Sequence, residues 1–322
     1  MERSTQGAEA GAWILSDGRA GNQRQARALA AAMALDAREW LLEPRAPWRW
    51  LAPRLFPGSR AAFGDRFAMA MREPPALAIG CGRQAALATR LLRAQGTRVV
   101  QILDPRLATT CWDVVVAPAH DALRGDNVVS LLGSLHPVDD AWLAQARAEF
   151  ASFAALPGPR LGVLVGGPTS HARYDVAGLA GWLDRIAAQV DRERGSLLLV
   201  ASRRTPDDMR AFLRSRGSPA HGFHWLDAAD GPNPYAGVLA WADRIVCTPD
   251  SVNMVSEACA TRVPVFVAAP ERVHGRVRAF LDGLQARDRI RALDDTMAPF
   301  DADPLRETAR VAARIRTLLQ PL

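Results

Sequence analysis

Three observations predict a two-domain α/β protein in which parallel sheets are covered by helices on both faces. Short aliphatic and β-branched runs alternate with alanine- and leucine-rich helical stretches along the chain. Those runs are continuously apolar, as strands buried on both faces are. The length of 322 residues suits two domains of roughly 150 residues better than one small core.

In the first half, AWILS (12–16), ALAIGC (76–81), RVVQIL (98–103), DVVVAP (113–118) and NVVSLL (127–132) read as strands, separated by helices such as 22–35 and 83–95. The second half repeats the pattern with LGVLVG (161–166), SLLLVAS (196–202), FHWL (223–226), RIVCTP (244–249) and VPVFVAA (263–269). Between them Pro157, Gly158 and Pro159 break a helix, which makes 152–160 the expected linker. The expected domains are therefore 1–151 and 160–302. An amphipathic helix within 303–322 would pack back on one of them.

Composition narrows the function classes. All 40 basic residues are arginine and the net charge is +6, a weak bias toward anionic partners. The four cysteines form no CxxC pair and sit mostly in apolar runs, as in a reduced cytoplasmic protein. MERSTQGAEAGAW lacks the apolar core of a leader, and no uncharged apolar run approaches about 18 residues, so neither secretion nor a membrane span is expected.

Ligands of such sheets bind beyond the carboxyl ends of the strands. There the stretch CTPDSVNMVSEACA (247–260) carries one acid, Glu257, into a small apolar helix. At about 100° per residue, Asp250, Asn253 and Glu257 share one stripe opposite Val252, Val255 and Cys259. The helix start at Asp250, Ser251 and Val252 suits a diphosphate, and a carboxylate further along suits the hydroxyl pair of a ribose. A solvated helix acid behind an ordinary cap is the plainer alternative.

Three more loops follow strands or enter helices in the same half. GGPTSHARYD (166–175) offers Gly166 and Gly167 for close backbone approach and Thr169, Ser170, His171 and Arg173 as donors. ASRRTP (201–206) offers Ser202, Arg203, Arg204 and Thr205 to anionic oxygens, and DGPNPY (230–235) offers Asn233 and Tyr235 to a base or sugar. In the first half, SDGRAGNQRQARALA (16–30) runs strand, glycine loop, helix. Gly18 and Gly21 permit close approach, Asp17 stands within reach of an acceptor hydroxyl, and Asn22 reads as a helix cap. It has neither the GxGxxG nor the P-loop spacing.

The tract 45–72 interleaves six arginines with Trp48, Trp50, Leu51, Leu55, Phe56, Phe63 and Phe67, against the single acid Asp65. Such a mixture serves either a domain core or an anionic membrane surface. Nucleic acid is not expected, because no binding motif accompanies it. The one DxD, Asp301 to Asp303, reads as a helix cap, no HxxxH or HExxH spacing occurs, and there is no GxSxG, so no metal and no cofactor is expected.

WILSDGRAGNQRQ, GGPTSH, SRRTP, DGPNPY and above all WADRIVCTPDSVNMVSEACATRVPVFV resemble the bacterial and plant family named after elongated mitochondria, over roughly residues 12 to 270. The resemblance implies two Rossmann-like domains with parallel sheets facing across a cleft, the GT-B-like fold, with a nucleotide-sugar on the second. SVNMVSEA, from Ser251 to Ala258, is similar to the donor helix of the lipid-linked muropeptide N-acetylglucosaminyltransferase, where a glutamate holds ribose; Glu257 takes that role by similarity. Plant members are described as adaptors of mitochondrial fission, a role the name alone does not carry to this chain.

The expectation is an inverting, metal-independent glycosyltransferase. It would take a nucleoside diphosphate sugar as co-substrate and an envelope or lipid-linked acceptor. Asp17 is the first candidate base and His171 the second, and residues 45–72 would lie peripherally on the inner membrane. The alternatives are a sugar-nucleotide epimerase or hydrolase, and a non-catalytic nucleotide-binding scaffold.

Overall fold

The structure, a computed structural model, describes residues 11–217, 219 and 221–320. The N-terminal stretch read as leaderless lies largely outside the described residues. The chain resolves into two compact units: residues up to Leu131, Leu135–Pro137 and the stretch from Glu307 form the first; Leu132–Ser134 and Val138–Arg306 form the second.

In the first unit, β1 (Ala12–Ser16), β2 (Ala37–Leu41), β3 (Leu77–Cys81), β4 (Arg98–Ile102), β5 (Val114–Pro118) and β6 (Val128–Leu131) make a sheet of order β2-β1-β3-β4-β5-β6. Every pairing is parallel. Ile14 points to one face, where α1 (Ala20–Ala32) and the C-terminal helix Thr308–Leu319 pack through Leu29, Met33, Val311 and Ile315. Trp13 and Leu15 point to the other face, toward α2 (Trp48–Leu51), α3 (Gly64–Ala70) and α4 (Arg83–Arg93). The strand β2, AREWL, escapes sequence recognition because it is an edge strand in which only Trp40 is buried.

The second unit repeats the design with β7 (Arg160–Val165), β8 (Ser196–Ala201), β9 (Gly222–Trp225), β10 (Arg244–Cys247), β11 (Val265–Val267) and β12 (Arg291–Ala292), all parallel, in the order β12-β11-β10-β7-β8-β9. Its helices are α5 (Asp140–Glu149), α6 (Val176–Glu193), α7 (Asp207–Ser215), α8 (Tyr235–Trp241), α9 (Val252–Cys259) and α10 (Gly275–Gln285). Helices α6 and α7 cover one face through Leu179, Leu183, Met209 and Leu213, whereas α8, α9 and α10 cover the other through Val238, Val255 and Phe280. The two-residue β12 is too short and too exposed to leave a sequence signal.

Compactness divides the chain earlier than the 152–160 linker read from the sequence. Helix α5 belongs to the second unit because Trp142 and Leu143 pack on its core and Arg147 Nε donates to the Ala240 carbonyl at 2.7 Å. Asp301 and Asp303 do not cap the last helix, which starts at Thr308 after Glu307. Thr308 anchors that helix instead, its Oγ1 accepting from His136 N at 3.1 Å and donating to His136 O at 2.8 Å. Among the described residues no helix is long and apolar enough to cross a membrane.

Cys81, Cys247 and Cys259 are buried free thiols. Burial pushes all three upward, Cys259 to about 12, so they stay protonated. Arg289, itself buried, closes the carboxyl end of α9: Nε donates to Cys259 O at 2.9 Å and Nη2 to Thr261 O at 2.8 Å. Replacement by Arg289→Met strands those carbonyls, and urea unfolding is expected to show a loss of about 3 kcal/mol.

Candidate functional site

In each sheet the chain reverses its order at one point, between β1 and β3 in the first and between β7 and β10 in the second. Crevices open at such switch points because the loops leaving the two central strands diverge. The loops singled out in the sequence, 17–22 in one unit and 166–171 and 248–252 in the other, leave β1, β7 and β10 there.

The centre of the second group is Asp250, whose residue is 6% exposed. Its carboxylate accepts from Thr248 Oγ1 at 2.7 Å, Arg204 Nη2 at 2.8 Å, Gly167 N at 3.0 Å and the Tyr174 hydroxyl at 3.0 Å. A carboxylate out of water costs several kcal/mol unless it is met by donors of this kind. Burial, and then the Asp250 charge, push the Tyr174 phenol far above its ordinary value, so it remains a donor. Asp250 is therefore a clamp on three loops, its carboxylate oxygens taken up by internal donors.

The two glycines serve the same clamp. A Cβ at Gly166 would overlap the Asp250 carboxylate, and one at Gly167 would overlap the Arg204 carbonyl oxygen. Their small size is required by internal packing, where the sequence reading assigned it to ligand approach. Gly166 N donates to Thr248 Oγ1 at 2.7 Å, and Thr205 Oγ1 donates to Gly166 O at 2.6 Å while accepting from Ser202 N at 3.0 Å. Thr205, expected to face anionic oxygens, is instead turned inward onto this backbone. Thr248 and Tyr174 escape sequence recognition, because a lone hydroxyl beside a strand end carries little signal.

Around this clamp, Thr169 Oγ1 accepts from His171 N and Ala172 N at 3.3 and 3.1 Å, folding the loop on itself. Ser170 is exposed. Ser202 Oγ accepts from Arg204 N at 3.1 Å. Arg204 is committed to Asp250, whereas the Arg203 guanidinium is exposed and in no ion pair among the described residues. His171 stands edge-on to His274 at 5.5 Å, its buried Nδ1 without a hydrogen-bond partner.

Helix α9 begins at Val252, with Ser251 as its cap accepting from Met254 N at 3.4 Å. Glu257 is 3% exposed, which removes the solvated-acid alternative. The Tyr235 hydroxyl donates to its Oε2 at 2.6 Å, so two predicted residues from separate helices meet. Asn233 is spent locally, accepting from Tyr235 N at 2.9 Å to open α8. Both α8 and α9 lie on the same face of the sheet.

In the first unit Asp17 is half-buried and Oδ1 accepts from Asn22 Nδ2 at 2.8 Å and Arg19 N at 3.2 Å. Asn22 is thus not the helix cap that its position suggested: α1 begins at Ala20, with Gly21 already in its first turn. Gly18, at φ +77°, turns the chain, and Gly82 has no Cβ because Asn22 Nδ2 would lie 2.6 Å from it. None of the predicted residues lines a cavity of about 270 Å³ between α6 and the 269–272 turn, walled by Trp182, Arg185 and Arg272. Among the described residues no three His, Cys, Asp or Glu side chains converge as a metal site.

The family profile described as Mitochondrial fission ELM1 matches residues 20–319. The mitochondrial fission protein ELM1 of Arabidopsis thaliana is 33% identical in an alignment of 276 positions that covers 76% of this chain and 64% of that protein's length. Among solved structures, UDP-GlcNAc 2-epimerase from Methanocaldococcus jannaschii superposes with a TM-score of 0.60 at 11% identity, over 95% of this chain and 98% of that one. Spinosyn forosaminyltransferase gives 0.50 at 15% identity, over 96% and 94%. At these identities the likeness is one of fold: the GT-B-like α/β architecture of glycosyltransferases and sugar-nucleotide epimerases.

Asp250→Ala removes the acceptor for four donors and is expected to lower stability by about 3 kcal/mol. Urea unfolding measures that loss. Hydrogen exchange should show loops 166–171 and 202–205 opening together, since the clamp holds both.

Proposed function

This chain belongs to the mitochondrial fission ELM1 family, and we propose that its second unit binds a nucleoside diphosphate sugar whose sugar is transferred to a hydroxyl acceptor without a metal ion. The observation that carries the reading is the hydrogen bond between the half-buried Tyr235 of α8 and the buried Glu257 of α9, beside the switch-point loops held by Asp250. A carboxylate there accepts from the two hydroxyls of a ribose, and the phenol holds it in place.

In this reading the diphosphate lies toward the start of α9 at Ser251 and Val252, where backbone donors and the helix dipole favour anions. The exposed Arg203 and Ser170 supply further donors. Fixed donors and positive charge then do for the leaving group what a divalent ion does elsewhere. Asp250 contributes by positioning, because a second anion against the phosphates would oppose binding. Asn233 shapes the turn beside the sugar or base. Asp17 is the proposed base on the acceptor side and His171 the second, with Gly18, Gly21 and Asn22 shaping the Asp17 loop. A lipid-linked or envelope saccharide is the acceptor class in keeping with the arginine and aromatic tract.

Support comes also from a fold neighbour: the Methanocaldococcus epimerase in complex with UDP-GlcNAc and UDP superposes with a TM-score of 0.57. The epimerase likeness favours a second reading, conversion of the sugar nucleotide with no acceptor at all. Incubating the protein with UDP-GlcNAc alone separates the two, since epimerisation or hydrolysis proceeds there and transfer does not.

Calorimetric titration with uridine, guanosine, thymidine and cytidine diphosphates is expected to show binding of at least one of them, unchanged by a chelator. Glu257→Ala removes the ribose contact and Tyr235→Phe loosens it. The expected cost is about 1 to 3 kcal/mol for the first, roughly 5- to 150-fold in affinity, and less for the second. Absence of binding to all four diphosphates, or full affinity in Glu257→Ala, overturns the proposal.

A further inference from the structure

Folding normally hides large apolar side chains. Among the described residues five stay exposed, and all five lie between residues 41 and 69: Trp50 at 65%, Met69 at 63%, Leu41 at 56%, Phe56 at 44% and Leu55 at 40%. Scattered single residues of this kind need no explanation, but three within positions 50–56 do. The core of the first unit does not need them, because it takes its own aromatics from the same tract: Phe67 is 2% exposed and packs against Trp40 and Trp13 at 5.3 and 6.0 Å.

Charge accompanies the apolar surplus. Arg45, Arg49, Arg54, Arg60, Arg66 and Arg72 are exposed and none is in an ion pair among the described residues, against two acids, Glu43 and Asp65, in the whole of 41–72. The Arg49 guanidinium lies 5.4 Å from the Trp50 ring centre, an aromatic and a cation on one short helix. A second copy of the same surface would meet it with like charge, which argues against self-association. Nucleic acid would satisfy the arginines but not Leu41, Leu55 or Met69.

We propose that residues 41–69 seat the protein on an anionic phospholipid surface. Trp50, Leu55 and Phe56 enter the headgroup region and the arginines face the lipid phosphates. The seat adjoins a strand-end loop of its own unit. The Arg49 carbonyl accepts from Arg83 Nη2 at 2.9 Å and Gln84 Nε2 at 3.1 Å at the start of α4, next to Gly82 and hence Asn22. A Cβ on Gly18 would lie 2.7 Å from Leu41. Docking therefore brings the Asp17 loop to the bilayer, where, on the proposed transfer reading, an acceptor hydroxyl carried by a lipid would reach it.

Co-sedimentation of the full chain with vesicles tests the seat, and it needs no sugar nucleotide. The protein is expected to pellet with phosphatidylcholine vesicles containing phosphatidylglycerol, to stay in solution with phosphatidylcholine alone, and to be released by salt. Trp50→Ser with Phe56→Ser, and separately Arg49→Glu with Arg54→Glu, should each lower partitioning at least about tenfold. These side chains are exposed, so both variants should keep the circular dichroism spectrum and the urea midpoint of the wild type, which report that they are folded. The proposal is overturned if the wild type ignores anionic vesicles, if either double variant pellets as the wild type does, or if the substitutions only dissolve a dimer. Failure of the donor reading would instead appear as lost diphosphate binding in the wild type, with vesicle binding intact.

Discussion

A buried carboxylate must be surrounded by donors, and the second unit is arranged around that requirement at Asp250. Its four donors come from the turn after β10, the loop after β7, the loop after β8 and the Tyr174 side chain. Because these segments follow three different strands, satisfying one charge fixes their mutual positions. The packing constraints at Gly166 and Gly167 follow from it, as any Cβ there would push on the carboxylate or on the Arg204 carbonyl. Preorganised loops of this kind make a binding site stiff, since a ligand need not order them on arrival.

Two acids just under two helical turns apart therefore have different work. Asp250 precedes α9 and its oxygens face the protein, whereas Glu257 lies within the helix and meets the Tyr235 hydroxyl. The helix that carries Glu257 is held at both ends, by the Ser251 cap and by the buried Arg289 guanidinium on the carbonyls of its last turn. Such anchoring matters because an eight-residue helix has little stability of its own. The apolar stripe of Val255, Ala258 and Cys259 supplies the rest, burying α9 against the sheet.

The first unit shows a different economy. Its aromatic tract is divided by burial: Trp40 and Phe67 join Trp13 in the core, while Trp50 and Phe56 remain outside beside arginines that make no ion pair among the described residues. One stretch of sequence thus serves the packing of a domain and the character of its surface. The Asp17 loop is held by its own short-range bonds, with Asn22, in the first turn of α1, turned back onto the carboxylate.

The strands buried on both faces were legible in the sequence by themselves, because continuous apolar runs of five or six residues have no other stable setting in a chain of alternating helices. So was the location of the candidate loops, since parallel strands deliver every following loop to one edge. The edge strands β2 and β12 were not, being short and solvent-facing, nor was the unit boundary, which depends on α5 packing against α8 far along the chain. Only tertiary structure decided what each polar residue does. Whether a carboxylate faces solvent, a ligand or a set of internal donors depends on partners up to 83 residues away, as with Gly167 and Asp250. Local sequence has no access to such distances, and the fold exists because those distant groups meet.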